Sequence, residues 1–193
     1  STVSANVAYA EGGGICQREG IMTVKNSSTV SANMADFGGG FSIKYGTMAI
    51  DGSTINANTA NYGGGIYNHT SRTTVDDSTI STNMAHYGGG IYHSASGTMT
   101  VTGSRILNNT TTITGGGVYN NIDVAGATSV SGSCIVGNSV ESFFNFWSAQ
   151  QIATGNWWGA PNGPNTSGAD TVRGNVDASG YLTEPILGCG LNL

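Results

Sequence analysis

The chain has 193 residues, of which 31 are glycine, and it carries only 6 basic and 11 acidic side chains. The net charge of −5 argues against a nucleic-acid partner, which requires a basic surface. Three prolines are too few for a collagen, and a hydrophobic content of 38% disfavours disorder. No window approaches the roughly 18 apolar residues that a membrane-spanning helix needs. These exclusions leave a β-rich domain.

An internal repeat organises the chain. Glycine triplets recur with spacings of 26, 25, 25 and 27 residues, at 12–14, 38–40, 63–65, 88–90 and 115–117. A Ser-Thr-Val-Ser-Ala-Asn motif or a variant of it precedes each triplet, and a looser copy begins at Ser133. Five full units and an altered sixth therefore cover residues 1–147. Residues 148–193 are predicted to form a C-terminal cap and tail of the same domain.

Each unit contains three short segments in which apolar and polar residues alternate, as in Thr98–Thr102, and this alternation is typical of half-buried strands. A unit of about 25 residues cannot bury its own apolar face, whereas stacked units bury theirs against one another. The sequence thus predicts an all-β fold, a right-handed parallel β-helix (β-solenoid). It has three short strands per coil and about 25 residues per coil.

Two motifs are predicted to shape the corners of each coil. Asparagine tolerates left-handed backbone, and its amide can bond to the next coil. The asparagines that follow the first strand are Asn6, Asn33, Asn58, Asn83, Asn109 and Asn138. The glycine triplets permit positive φ and close backbone approach at the second corner. The small residues Ala8, Ala35, Ala60 and Ala85 are expected to fill the narrow interior.

The paired motif, [Val/Ile]-x-x-Asn followed by Gly-Gly-Gly-[Ile/Phe/Val], resembles the Phe-x-x-Asn and Gly-Gly-Ala-Ile repeats of the chlamydial polymorphic outer-membrane proteins. Val or Ile stands here where those repeats have Phe, as in Val3–Asn6 and Ile55–Asn58. Gly155–Pro164 is similar to an element near the end of many secreted bacterial β-helix proteins. The resemblance implies an extracellular or cell-surface location. Its members include adhesins and passenger domains, so it does not specify an activity.

The two ends of the chain differ. Phe143–Trp147 is interpreted as replacing the glycine triplet of the sixth unit, and bulky residues there indicate a cap. The aromatic residues assigned to this cap are Phe143, Phe144, Phe146, Trp147, Trp157 and Trp158. At the other end Ser1 begins directly in a repeat, which predicts an exposed strand edge. The chain is then either cut from a longer solenoid or a mature subunit that docks on a neighbour.

The three cysteines allow one disulfide, and Cys134 with Cys189 could pin the tail to the last coil. Cys16 is expected either to be a free, packed thiol or to pair between stacked chains. A disulfide favours an extracellular setting.

Outward columns are the candidate binding surfaces. Thr2, Thr29, Thr54 and Thr79 form a hydroxyl array that would suit ice, although threonine is also simply a good strand former. Stacked tyrosines could bind sugar rings or form an interface, with ladder stacking as the structural alternative. They are Tyr62, Tyr67, Tyr87, Tyr92 and Tyr119.

Asp51 and Asp76 are predicted to lie one coil apart, which makes them a weak Ca²⁺ candidate; a surface pair between Lys25 and Asp51 is favoured instead. Arg18, Lys44 and His69 form a short basic column. The sequence presents no Ser-His-Asp constellation and no clustered carboxylates of the kind that hydrolysis of glycosides requires. No catalytic residue and no cofactor are therefore assigned.

These features predict a non-enzymatic extracellular structural protein. It would be a subunit of a cell-surface filament or a segment of an adhesin, which associates head to tail through its first coil. Two alternatives stay open: a polysaccharide-active enzyme of pectate-lyase-like architecture, and a glycan- or ice-binding module.

Overall fold

The structure is a computed structural model that describes residues 1–189, which form β-strands and no helix. It follows that no helix in this part of the chain could cross a membrane. The strands are β1 (Thr2–Ser4), β2 (Ile15–Arg18), β3 (Ile21–Val24), β4 (Thr29–Ser31), β5 (Phe41–Lys44), β6 (Thr47–Asp51), β7 (Thr54–Asn56), β8 (Ile66–Asp76), β9 (Thr79–Ser81), β10 (Met84–Tyr87), β11 (Ile91–Thr102), β12 (Arg105–Leu107), β13 (Thr110–Thr114), β14 (Val118–Asn121), β15 (Thr128–Ser131), β16 (Cys134–Val136), β17 (Phe143–Asn145), β18 (Gln151–Ile152), β19 (Val172–Arg173) and β20 (Val176–Asp177).

Every strand of the described chain pairs in parallel with its equivalent in an adjacent turn, so the predicted β-solenoid is confirmed. The first face is a sheet in the order β1-β4-β7-β9-β12-β16, and its register places Thr29 beside Thr54 and Ile55 beside Ile80. The second and third faces belong to one larger sheet because β8 and β11 run through the corner between them. The stack has about 7 turns with a spacing of about 26 residues.

The parallel stack continues beyond residue 147. β17 and β18 of the sixth turn pair with β19 and β20, and Trp157 forms a bridge to Cys134. Part of the segment expected to be cap and tail therefore forms a seventh turn.

One hydrophobic core runs along the axis of the solenoid. The first face contributes Val30, Ile55, Ile80, Ile106 and Ile135, and the second contributes Phe41, Ile66, Ile91, Val118 and Phe143. Because each residue packs on its equivalent one turn away, the core is a set of columns of nearly constant size. This explains why the positions in these two columns vary only among Val, Ile and Phe.

The corner asparagines form a continuous hydrogen-bonded ladder. The backbone N–H and the side-chain amide of Asn58 both donate hydrogen bonds to Oδ1 of Asn83, each with a length of 3.0 Å. The same Asn58 amide donates to the carbonyl oxygen of Val30 in the preceding turn at 3.0 Å. Asn33 and Asn109 repeat this pattern toward the next turn. The ladder thus satisfies buried polar groups on both sides of each turn.

The left-handed backbone lies one residue earlier than predicted. Positive φ values of 52–56° occur at the residue before five of the six corner asparagines, in Ala5, Ala32, Ala57, Thr82 and Asn108, and Gly137 before Asn138 has a φ of 73°. The corner asparagine does not take this conformation, because its side chain points inward and bonds the adjacent turns. The preceding residue, which points outward, makes the bend.

The three glycines of each triplet have distinct roles. In the third turn Gly63 has a φ of 66°, which favours glycine. A Cβ at Gly64 would lie 2.5 Å from the carbonyl oxygen of Met84, and one at Gly65 would lie 2.6 Å from that of Gly90. The second and third glycines are therefore required by close approach of the next turn.

The interpretation of Phe143–Trp147 as the substitute for a triplet is wrong. Phe143 pairs with Val118, so it continues the core column, and the triplet positions are taken by residues 140–142. Val140 adopts a φ of 62° there, a conformation that a β-branched residue rarely takes. The aromatic residues look like an interruption in the sequence because they differ from the glycines of the other units. In the structure they occupy ordinary inward and outward positions of β17. Trp158, from the seventh turn, is fully buried in the core.

The predicted disulfide between Cys134 and Cys189 is present, with a Cα–Cα distance of 5.7 Å. It holds the tail against the outer side of the first face, where Leu182 and Ile186 pack on Leu107 and Val136. Cys16 is free and exposed rather than packed, because it lies on the outward side of β2.

Replacing Asn83 by alanine should destabilise the protein by about 2–3 kcal/mol, because buried groups of Asn58, Ile55 and Asn109 lose partners together. Urea unfolding of both proteins measures the change. Ser81→Ala is the matched control in the same turn, since its side chain points outward. Equal midpoints for the two variants would contradict the role of the ladder.

Candidate functional site

Three surfaces of the solenoid carry regular arrays of side chains: a threonine face, an aromatic face and a groove between them. The threonine face is the outer side of the first sheet. Thr2, Thr29, Thr54 and Thr79 are in register on successive turns, beside a second rank of Ser4, Ser31, Asn56 and Ser81. Neighbouring members of a rank are about 4.8 Å apart, the strand spacing of a sheet.

The tail explains why the threonine rank stops after Thr79. In the next turn Arg105 donates from Nε and Nη2 to the carbonyl oxygens of Gly188 and Leu187, at 3.2 and 3.1 Å. One turn further, Cys134 forms the disulfide. The hydroxyl array therefore covers only the turns that the tail leaves open.

The aromatic face consists of two columns that pack against each other. In one column Phe37, Tyr62 and Tyr87 stack with centroid distances of 5.1 and 5.4 Å. The other contains Tyr67, Tyr92, Tyr119 and Phe144. Burial raises the pKa of Tyr119 to about 12 and raises that of Tyr92 further. Because the ring faces contact one another, the columns present mainly edges and hydroxyls, which is the ladder stacking considered from the sequence.

A cation closes each end of the aromatic face. Lys44 Nζ lies 5.5 Å from the centroid of Phe37 and is paired with Glu11 at 2.5 Å. At the far end Arg173 lies 5.6 Å from the centroid of Phe144 and is paired with Glu141. The hydrogen bond from Lys44 holds the pKa of Glu11 below its usual value. These contacts stabilise the outermost rings, which lack an aromatic neighbour on one side.

The aromatic residues assigned to the cap have different positions. Phe144 extends the tyrosine column, while Phe146 and Trp147 are partly exposed and pack edge to face beside it. Trp157 lies under the tail with the disulfide. Phe143 and Trp158 lie in the core, so the six residues are divided among the core, the aromatic face and the tail.

The groove runs parallel to the solenoid axis and has a volume of about 410 Å³. Its floor is the alanine column Ala8, Ala35, Ala60 and Ala85. One rim is largely apolar, with Val7, Met34, Thr59 and Met84, and the other carries Tyr9, Asp36, Asn61, His86 and Thr112. Ala35, Ala60 and Ala85 are buried, as expected for residues that fill the interior, and they also form the bottom of this groove.

The acidic pair lies where the sequence predicted, with Asp51 beside Asp76 in register. Within residues 1–189 no group of three or more His, Cys, Asp or Glu residues could hold a metal ion. The basic column is also in register, since Arg18, Lys44 and His69 align on successive turns. His69 Nδ1 lies 3.2 Å from Oγ of Ser94 and 3.3 Å from the hydroxyl of Tyr67. Its pKa is lowered by burial and by the nearby charge of Lys44.

His93 is the one histidine in the interior of the described chain. Its column position, three residues after the last glycine of the triplet, is held by Asn68 and Asn120 in the adjacent turns. Thr128 Oγ1 donates to Asn120 Oδ1 at 2.6 Å, so the Nδ1–H of His93 donates to the same hydroxyl at 2.8 Å. Burial lowers the pKa of His93 to about 3. The side chain is therefore neutral in the folded protein.

Comparison with family models, with curated proteins and with solved structures finds no match to this chain.

His93 should make stability depend on pH. In the unfolded chain its pKa is near 6.5, whereas the folded value is about 3. The unfolded state therefore binds the extra proton between these values, and stability is lost as the pH falls through that window. The free energy of unfolding should fall by about 1.4 kcal/mol for each pH unit of acidification within this window.

Urea unfolding at pH 7, 6, 5 and 4 measures this slope, with His93→Asn as the comparison because asparagine already occupies the column. The variant should lose stability less steeply on acidification. Parallel curves for the two proteins would contradict a buried neutral histidine.

Proposed function

We propose that this chain is a non-enzymatic structural protein of the extracellular space or cell surface, a β-solenoid whose first turn can pair with a further turn. The observation that carries the proposal is the difference between the two ends of the stack. One side of the first turn presents strand edges and apolar residues that, in every interior turn, are paired with a neighbouring turn. The last turns, in contrast, are covered by the tail.

The first turn presents an apolar and hydrogen-bonding surface along the axis. Val3, Ile15 and Val24 are half-buried and line a depression of about 300 Å³. In the described chain β1, β2 and β3 pair only with the second turn. The strand edges are thus templates for another parallel strand. A polypeptide that continues before Ser1 would supply that turn itself, and a second copy could supply it from outside.

Asn6 carries the ladder to this edge. It donates its backbone N–H and its side-chain amide to Oδ1 of Asn33 at 3.0 and 2.9 Å. In every interior turn the corresponding Oδ1 accepts from the turn before, as Asn58 Oδ1 accepts from Asn33. A turn added before Asn6 would find the same acceptor, so the ladder favours an incoming turn of the same design.

The opposite end is held by different contacts. Trp158 is buried in the core, and the backbone N–H of Leu182 donates to the carbonyl oxygen of Asn156 at 2.9 Å. The buried disulfide fixes the tail to the sixth turn. Disulfides persist mainly in oxidising compartments, which supports an extracellular location.

The repeated contacts support a structural role. Each interior turn is fastened to the next by an aliphatic column, the asparagine ladder and, over several turns, the aromatic columns. Because each turn contacts only its neighbours and does so in the same way, the stability of such a stack is the sum of its turns and their interfaces, and the stack can be lengthened turn by turn. A head-to-tail contact between copies would extend it into an open fibre.

Self-association of the purified chain tests the assembly. Light scattering and electron microscopy over a range of concentrations should show end-to-end particles as wide as a single solenoid. Val3→Glu places a charge in the apolar depression and should abolish them. Thr2→Glu adds the same charge on the outward side of the same strand and should not.

Monodisperse monomers of the unsubstituted chain at high concentration would contradict assembly between copies. Loss of association in both variants alike would show that the threonine face, rather than the end of the stack, makes the contact.

A further inference from the structure

The groove between the threonine and aromatic faces is built from a set of three residues that recurs in each turn. Each turn from the first to the fourth contributes one alanine to the floor, one side chain to the apolar rim and one to the opposite rim. Because these turns are in register, the set repeats about every 4.8 Å along the axis. A ligand that fits the groove therefore has a repeat close to this spacing and lies parallel to the axis.

An extended peptide does not have this repeat. It rises about 3.3 Å per residue, so its side chains would fall out of step with the turns. It would also run perpendicular to the strands, an orientation in which it cannot add to a sheet edge. An extended β-1,4-linked glycan, in contrast, advances by one sugar ring over a distance close to the spacing of the turns.

The chemistry of the groove fits a sugar ring. A pyranose presents C–H groups on its faces and hydroxyls at its edge. Apolar contact comes mainly from the exposed side chains of Met34 and Met84, which stand beside a floor of largely buried alanines. The opposite rim offers Asn61, whose amide donates to Asp36 Oδ1 at 2.9 Å, and the exposed His86. Such rims bond hydroxyls, as polar groups in carbohydrate pockets do.

Charge favours a neutral polymer. The protein has a net charge of −5, and the polar rim includes the carboxylate of Asp36. A polyuronate would place a carboxylate beside it in each ring, and like charges at this distance repel.

Tyr9 adds an aromatic surface at one end of the groove. Its side chain is 98% exposed, in contrast to the tyrosines of the aromatic face, whose rings are stacked on one another. An exposed aromatic ring beside an apolar floor can stack on the face of a sugar ring.

We infer that this groove binds a neutral, linear β-1,4-linked glycan, with about one sugar ring per turn. The inference is independent of the end-to-end assembly, because the groove lies on the side of the stack. It makes the solenoid a glycan-binding surface as well as a structural element.

Titration calorimetry with purified oligosaccharides tests the inference. The probes are two series, cello-oligosaccharides and β-1,4-linked N-acetylglucosamine oligomers, from the disaccharide to the hexasaccharide. At least one series should bind, with affinity that rises with length until the four turns are spanned and then levels off. A β-1,4-linked mannuronate hexasaccharide, the acidic control of the same linkage, should bind more weakly.

Two matched pairs of variants locate the site. Tyr9→Ala should weaken binding by about tenfold, and Tyr45→Ala, which removes another exposed tyrosine outside the groove, should leave it unchanged. Ala60→Leu should block the floor, whereas Thr54→Leu adds bulk on the threonine face of the same turn. Thermal unfolding of each variant checks that the fold is retained.

The inference is overturned if no neutral oligosaccharide of either series binds the folded protein. It is equally overturned if binding survives Tyr9→Ala and Ala60→Leu in variants whose thermal unfolding is unchanged. Binding that Thr54→Leu alone abolishes would assign the ligand to the threonine face.

Discussion

Every turn of this protein must match the next one in register, because each polar and apolar group that points along the axis has its partner one turn away. The asparagine ladder depends on this register most strongly, because its hydrogen bonds are directional. Each interior corner asparagine uses its side chain to bond the turn on either side, as Asn58 does, so an altered residue there disturbs three turns. The core columns and the aromatic columns obey the same rule with weaker directionality. Low charge follows too, since like charges in a column would lie one strand spacing apart, as Asp51 and Asp76 do.

The period of the sequence was enough to predict the solenoid, because a 25-residue unit with alternating apolar residues can bury them only by stacking. The same period also predicted the outward columns. The structure places the four threonines of the column that runs from Thr2 to Thr79, and the tyrosines, in the predicted registers. Alternation alone predicted these positions because it assigns each strand residue to one side of the sheet.

Corners and the C-terminal end were predicted less well, for physical reasons. At a corner the side chains no longer alternate, so the sequence did not show that Ala57 bends the chain while Asn58 points inward. Beyond residue 138 the glycine triplet is lost, and Phe143 looked like an interruption although it continues the core. The position of His93 could have been inferred, since Asn68 and Asn120 hold the same column, but its burial depends on packing across turns.

In-register stacking is also what would link the two proposals. The spacing that lets another turn join the first one sets the repeat of the groove, so a rod and a linear polymer can share one axis. The tail sets a limit on this surface, because it covers the later turns of the first face and leaves the earlier ones open.

The central claim is that the asparagine ladder joins adjacent turns into one cooperative unit. Amide hydrogen exchange, followed by NMR, tests it at the backbone N–H groups of Asn33, Asn58 and Asn83, which are bound by side-chain oxygens of the next turn. If the ladder holds the stack, these amides exchange as slowly as those of the core residues Ile55 and Ile80, through cooperative unfolding. Exchange as fast as that of the exposed loop residue Tyr9 would contradict the account.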